Sequence, residues 1–344
     1  MANHTIVHIP GDGIGPEVSD AVLAILQAAH APVEFVTRYA GQAALDHGHS
    51  DLLPDETVEA IRQHHVALKG PCTTPVGGGF SSVNVALRKR LNLYAAVRPV
   101  RSLAGVKTRF EDVDLVVVRE NTEGLYSGNE NRITDGVVIS MKVATREACR
   151  RIAKWTFRYA THRKRRKISA FHKANIMKMT DGMLLEEARG VHEFDYPNIE
   201  YETVIIDAAC MRLVKDPTQF DIILCENLYG DIISDLCAGL VGGLGVTPGA
   251  NIGDEDAVFE AVHGSAPDIA GQNLANPLAL LMSATMMLNH LGEQRGCVAS
   301  RESARLIRSA YDAALADGCK TRDLGGELGT QAFTQAIIDR LGET

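Results

Sequence analysis

Three features of this 344-residue chain predict an α/β fold. Short β-branched, apolar runs alternate with amphipathic helical runs. Most of the strand-like runs lack a polar alternation, as expected of strands covered on both faces of a parallel sheet. Glycine- and proline-bearing turns separate them, giving the βαβ rhythm of the class.

The elements follow in order. "TIVHIP" (5–10) is short and β-branched and reads as a strand. "GDG" then signals a turn, and Pro16 suits the first position of a helix. Val18, Val22, Ile25, Leu26 and Ala29 fall on one helical face. Farther on, "VDLVVVRE" (113–120), "RKISAFHKA" (166–174), "IEYETVIID" (199–207) and "FDIILCEN" (220–227) read as strands, mostly buried on both faces. "TREACRRIAKWTFRYATH" (145–162) and "GDIISDLCAGLVGG" (230–243) read as helices, and the chain from Asn276 onward is rich in helix formers. No repeat, low-complexity tract or linker interrupts this order, and composition alone marks no domain boundary.

Bulk properties narrow the function classes. A formal charge of −8 with 23% charged residues argues against nucleic-acid and membrane-surface partners. "MANHTIVHIPGDG" has neither a basic nor an apolar leader region. The most apolar stretch, "PLALLMSATMMLNH", meets Asn289 and His290 before it reaches membrane-spanning length. Seven scattered cysteines without a C-x-x-C suggest reduced thiols, a cytoplasmic setting and no structural zinc.

Gly11, Gly13 and Gly15 stand between a strand and a helix, yet the spacing G-x-G-x-G is not the dinucleotide fingerprint G-x-G-x-x-G. A classical Rossmann site is therefore not expected. The basic run "HRKRRK" (162–167) reads as the solvated, dipole-complementing end of a helix, because no aromatic stacking surface flanks it.

Polar groups that a core has no use for gather in "TTPVGGGFSSVNVALRKR" (73–90). If a helix starts near Ser82, Asn84 and Arg88 lie four apart on one face, and free backbone N–H groups at its start favour an anion. Together they make a cup for a carboxylate. The alternative is a serine cap on a solvated helix. Arg98 is held extended before a proline, and Arg119 ends the strand "DLVVV", where ligands bind in open α/β sheets. Three arginines suggest a substrate with more than one carboxylate. Asp207 closes "TVIID", and Asp231 and Asp235 lie four apart after "IILCEN". Three carboxylates without a His/Cys pattern suit Mg²⁺ or Mn²⁺, although Asp231 could equally be a helix N-cap. Lys173 and Tyr126 could each move protons if their pKa values were shifted, or could be purely structural.

These segments resemble a known family, the metal-dependent β-decarboxylating dehydrogenases of isocitrate, isopropylmalate, homoisocitrate and tartrate. The likeness runs through "IPGDGIGPE", "LKGP", "TTPVGGGFSSVNVALRK", "LYAAVRP", "VRENTEGLYSG", "HKANIMK", "NLYGDIISDLCAGLVGGLGVTPGANIG" and "HGSAPDIAGQNLANP". It implies a two-domain α/β subunit. A large discontinuous cofactor domain (1–98 and 252–344) is expected beside a smaller domain (99–251) with a dimer-forming clasp. Ser82 and Asn84 resemble the isocitrate type, where they would hold the γ-carboxylate while Arg88, Arg98 and Arg119 hold the others. Isopropylmalate relatives present leucines there, and homoisocitrate relatives an arginine.

The resemblance further implies a metal held by Asp231 and Asp235 of one subunit and Asp207 of its partner. Lys173, also from the partner, would be the base and Tyr126 the proton donor to carbon. His263 and Asn276 would contact adenine, with Gly264 and Ala266 lining the pocket and Thr73 and Thr74 near the nicotinamide. Asp268 and Ile269 replace the lysine and tyrosine of NADP-dependent relatives, which implies NAD⁺, since a carboxylate accepts from ribose hydroxyls and repels a 2′-phosphate. The expected activity is NAD-dependent oxidative decarboxylation of isocitrate by a homodimer with shared sites. Homoisocitrate or isopropylmalate oxidation, or a non-catalytic regulatory subunit, are the alternatives.

Overall fold

A computed structural model describes residues 3–74 and 82–342, so the glycine triplet at 77–79 lies outside the described residues. In chain order the strands are β1 (His4–Ile9), β2 (Val33–Thr37), β3 (Val66–Lys69), β4 (Ala95–Arg101), β5 (Asp114–Glu120), β6 (Glu130–Thr134), β7 (Val137–Ser140), β8 (Lys167–His172), β9 (Glu200–Ile205), β10 (Ile222–Cys225), β11 (Pro248–Ile252) and β12 (Ala257–Ala261). The helices are α1 (Gly15–Ala28), α2 (Gln42–Asp46), α3 (Asp55–His64), α4 (Val83–Arg90), α5 (Arg146–His162), α6 (Thr180–Asp195), α7 (Ile206–Lys215), α8 (Asn227–Leu240), α9 (Leu278–Gln294), α10 (Val298–Ala316) and α11 (Thr330–Ile338).

The chain divides into two compact units. The first comprises Met1–Leu91, Ser102–Glu111 and Val241–Thr344. Its strands run in the order β2-β1-β3-β12-β11, parallel except for the antiparallel β11–β12 pair. Helix α1 turns Val18, Val22, Ile25 and Leu26 inward, as the 3.6-residue pattern predicts. The apolar run 277–290 forms the buried centre of this unit as α9, with Leu278, Leu281, Leu288 and Leu291 fully covered. Among the described residues no helix is long and apolar enough to cross a membrane.

His8 sits in β1, 4% exposed, with its ring edge on Phe35. Burial lowers its pKa from 6.5 to about 4. Unfolding lets the ring take a proton anywhere between these values, so stability is full above pH 6.5 and falls as the pH drops toward 4. At about 1.4 kcal/mol per pH unit this one group contributes at most about 3.5 kcal/mol. His8→Leu is therefore expected to flatten the loss of Tm between pH 6.5 and 4 relative to the parent. An unchanged Tm-versus-pH slope would refute the assignment.

The second unit comprises Asn92–Arg101 and Asp112–Leu240. Its strand order is β4-β5-β10-β8-β9, with β4 antiparallel and the rest parallel. The apolar runs of β5, β8 and β10 are buried almost throughout. Strand β9 differs from the expectation of two covered faces. It is an edge strand with only Val204 buried. The run 162–167 begins at the last residue of α5, and within it Arg165 binds Asp114 and Asp221 while Lys167 pairs with Glu200 and Glu202. Strands β6 and β7 make a separate two-stranded ribbon exposed along its whole length.

Candidate active site

In the second unit, parallel pairing sets Arg119 of β5 beside Cys225 of β10. Helix α8 begins two residues after Cys225, so its first turns cross directly over Arg119. That crossing needs a glycine: a Cβ on Gly230 would lie 2.5 Å from the Arg119 Cβ. Arg119 is 1% exposed, and each of its three guanidinium nitrogens donates a hydrogen bond within the unit. Nε and Nη2 donate to Asn227 Oδ1 at 2.9 and 2.6 Å, and Nη1 donates to Asp231. The Tyr126 ring centre lies 4.9 Å from the guanidinium carbon, and the Tyr126 hydroxyl donates to the other Asp231 oxygen. Burial first, and then the Asp231 carboxylate, raise the Tyr126 pKa. The phenol is thereby kept protonated, as a proton donor must be.

Asp231 is not the N-cap of its helix. Helix α8 starts at Asn227, and Glu226 Oε1 accepts from Tyr229 N at 2.8 Å in the capping role. Asp231 thus stands in the second turn with Asp235 one turn on. Burial and the Asp231 charge raise the Asp235 pKa, while Arg98 and Arg119 oppose the shift. Two oxygen-ligand side chains held at mutual electrostatic cost fit a hard divalent cation, which would relieve that repulsion. Arg98 lies on β4, 4% exposed, opposite Val117.

Lys173 follows β8, and its Nζ donates to Asp207 Oδ1 at 2.6 Å. The ammonium holds the Asp207 carboxyl below its usual value. Asp207 does not close a strand, as the apolar pattern suggested. Strand β9 ends at Ile205, where its last partner on β8, His172, also ends, and Asp207 is the second residue of α7. Among the described residues no three His, Cys, Asp or Glu side chains of the chain gather as a metal site.

In the first unit, Ser82 takes the N-cap position of α4 but makes no capping hydrogen bond with its side chain, and it is exposed. Thr74 Oγ1 instead accepts from Val83 N at 3.3 Å. Asn84 is partly exposed, and Arg88 is buried with Nη2 3.8 Å from Glu260 Oε1. Glu260 also accepts from Lys69 at 2.6 Å and from Asn251 at 2.7 Å, so a buried polar network lies behind Arg88.

Asp12, to which sequence reasoning gave no role, organises the loops of this unit. Its carboxylate accepts from Thr73 N at 2.6 Å, Ala43 N at 2.7 Å and Gln42 N at 3.0 Å. Thr73 Oγ1 lies 2.6 Å from Ser265 Oγ, which joins the 70–74 segment to the 263–276 segment. Gly13 permits that approach, because at φ +59 its Cβ would overlap the Ser265 carbonyl.

Within 263–276, burial lowers the His263 pKa and keeps the ring neutral, and its buried Nε2 has no hydrogen-bond partner among the described residues. Gly264 is exposed, and Ala266 has a left-handed backbone (φ 35, ψ 63) that an alanine rarely adopts. Asp268, exposed, and Ile269 belong to the 3₁₀ turn Pro267–Ile269. Asn276 uses both ends of its amide, donating to Asp323 at 2.9 Å and accepting from Leu278 N at 3.0 Å. Among the groups not foreseen, Asn227, Asp12 and Ser265 stand inside motifs that the sequence did display, "NLYGD", "GDGIG" and "HGSAP". Asp323 carried no comparable signal.

Comparison with known proteins extends the picture. The family model described as isocitrate/isopropylmalate dehydrogenase matches residues 5–341. The mitochondrial catalytic subunit 5 of NAD isocitrate dehydrogenase from Arabidopsis thaliana is 52% identical, over 98% of this chain and 88% of its own. The chloroplastic 3-isopropylmalate dehydrogenase of Solanum tuberosum is 55% identical over 82% of this chain and 79% of its own. The crystal structure of isocitrate dehydrogenase from Methylococcus capsulatus superposes with a TM-score of 0.92 at 47% identity, covering 98% of this chain and 99% of that one.

Proposed function

We propose, from the premise that this chain belongs to the isocitrate/isopropylmalate dehydrogenase family, that it oxidises and decarboxylates isocitrate with NAD⁺ as hydride acceptor and a divalent cation. The observation that carries the choice of substrate is the head of α4. Ser82 is exposed there and its side chain does no capping, which supports a reading in which its hydroxyl and the Asn84 amide meet the γ-substituent, where an isopropyl group would call for apolar side chains.

In this reading Arg88, Arg98 and Arg119 bind the substrate carboxylates, and Ser82 and Asn84 receive the γ-carboxylate. Lys173, in its uncharged amine form, would remove the proton of the substrate hydroxyl, and NAD⁺ would take the hydride from the carbon that bears it. Tyr126, kept protonated beside Asp231, returns a proton to the carbon that has lost CO₂. Mg²⁺ or Mn²⁺, held by Asp231 and Asp235 with the partner subunit's Asp207, would supply Lewis-acid polarisation of the substrate oxygens. Thr73 and Thr74 face the nicotinamide end, and His263, Gly264, Ala266 and Asn276 the adenine end.

A second copy of the chain is the proposed partner. The β6–β7 ribbon exposes Ile133, Val137, Val138 and Ile139, and the same unit exposes Met141, Ile176, Met179, Met211 and Ile232. A lone ribbon of two strands is marginal in water, and apolar surface of this extent marks an interface. Seven free cysteines fit a reducing compartment, and we place the protein in the cytoplasm.

The deciding assay gives the purified single chain NAD⁺ or NADP⁺ with Mg²⁺ or Mn²⁺ and isocitrate, isopropylmalate or homoisocitrate. Turnover of isocitrate with NAD⁺ well above every other pairing is expected. Preference for isopropylmalate would overturn the substrate, and no turnover of any substrate would favour a regulatory subunit. The coenzyme assignment has its own test. Asp268→Lys with Ile269→Tyr removes a charge that repels a 2′-phosphate and adds one that attracts it. The NAD⁺/NADP⁺ ratio of kcat/KM should fall at least about tenfold, or ~1.4 kcal/mol. An unchanged ratio would place the 2′-position elsewhere.

A further inference from the structure

In the second unit the proposed chemistry leaves unused a largely buried ammonium group, that of Lys142. Lys142 lies just after β7, its side chain only 12% exposed. Its Nζ donates to Asp181 Oδ1, lies 3.5 Å from Glu226 Oε2, and sits 4.7 Å from the Tyr229 ring centre. The Asp181 and Glu226 side chains are themselves 1% and 12% exposed. Each of these carboxylates has a second duty. Asp181 Oδ2 accepts from Lys173 N at 2.7 Å, which fixes the backbone of the proposed base. Glu226 Oε1 accepts from Tyr229 N, and the Glu226 carbonyl accepts from Gly230 N at 2.9 Å, which fixes the head of the helix carrying Asp231 and Asp235.

We propose that Lys142 is a positioning residue for the reaction, its ammonium tying the anchor of Lys173 to the N-terminus of α8. Two buried carboxylates without a cation between them repel each other and seek water or protons. Either response moves the groups they hold. The proposal rests on the assignment of Lys173 as base and of Asp231 and Asp235 as metal ligands. If Lys173 serves the partner's site while α8 serves its own, Lys142 joins, within one subunit, the parts given to two different sites.

The test uses Lys142→Met in the full-length protein. Misplacing a reacting group by about 1 Å costs roughly 100-fold, so kcat should fall by about that factor. KM for isocitrate should stay within about threefold, because Ser82, Asn84 and the three arginines are untouched. With isocitrate deuterated at the hydroxyl-bearing carbon, the isotope effect on kcat should rise as the chemical step becomes limiting. Lys142→Arg, which keeps the charge, should recover most of kcat. Hydrogen exchange gives a readout independent of activity: amides of 173–181 and 227–231 should exchange faster in Lys142→Met while those of β5 and β8 do not.

A kcat loss that only matches the loss of folded protein, with an unchanged isotope effect and unchanged exchange in both segments, would overturn the proposal. Should Lys142→Met fail to fold, Asp181→Asn replaces it. The asparagine can still accept from Lys173 N but turns its NH₂ toward Lys142, and an unaltered kcat would again overturn the proposal. A parent inactive on isocitrate would defeat the functional reading, while the exchange experiment would still decide whether Lys142 holds both segments.

Discussion

Homodimers of Lys173→Met and of Tyr126→Phe are each expected to be nearly inactive, and co-refolding the two is expected to restore roughly a quarter of parent activity. Tyr126, Arg119 and Asp231 form one contact group, while Lys173 pairs with Asp207 in another. If each active site takes the first group from one subunit and the second from its partner, either homodimer lacks one essential group at every site. In a mixed dimer, the site centred on the Lys173→Met chain keeps its own tyrosine and borrows an intact lysine. The other site lacks both. Random pairing makes about half the dimers mixed, each with one good site of two. No recovery, with mixed dimers confirmed by mass, would show that each chain completes its own site.

Ser82→Glu should abolish isocitrate turnover while the protein stays folded. The substrate is an anion, and an added carboxylate about 4 Å from one of its own costs about 4 kcal/mol at an effective dielectric near 20. That corresponds to about three orders of magnitude in kcat/KM. The fold should tolerate the change. Ser82 is exposed, makes no capping bond to lose, and a negative side chain at a helix N-terminus suits the dipole. Ser82→Ala removes only one hydrogen bond to a charged group, about 1.5–3 kcal/mol, so a tenfold to hundredfold loss is expected. Thermal melting beside steady-state kinetics checks both claims. Near-normal activity of the glutamate variant, melting like the parent, would mean that Ser82 does not meet the substrate.

The local pattern determined a good deal of this protein. Helix α1 and strands β5, β8 and β10 fall where their periodicity puts them, because each is short, apolar and closed by its own turn or cap signals. Arg119 could be placed at a strand end for the same reason. Where two local signals compete, the tertiary structure decided. "TVIID" looks extended to its last residue, yet the strand stops at Ile205 because the neighbouring β8 offers no partner beyond His172. Asp231 looks like a cap, yet Glu226 takes that duty and moves the helix start three residues earlier than the apolar run suggests. The polar networks were beyond sequence altogether. Lys142, Asp181 and Glu226 meet from positions 39 and 84 residues apart in the chain. Asp12 likewise reaches Thr73 across 61 residues. Such contacts have no periodicity to read. A buried charge finds its partners only when the packed sheet brings distant loops together, and its cost without them is what holds those loops in place.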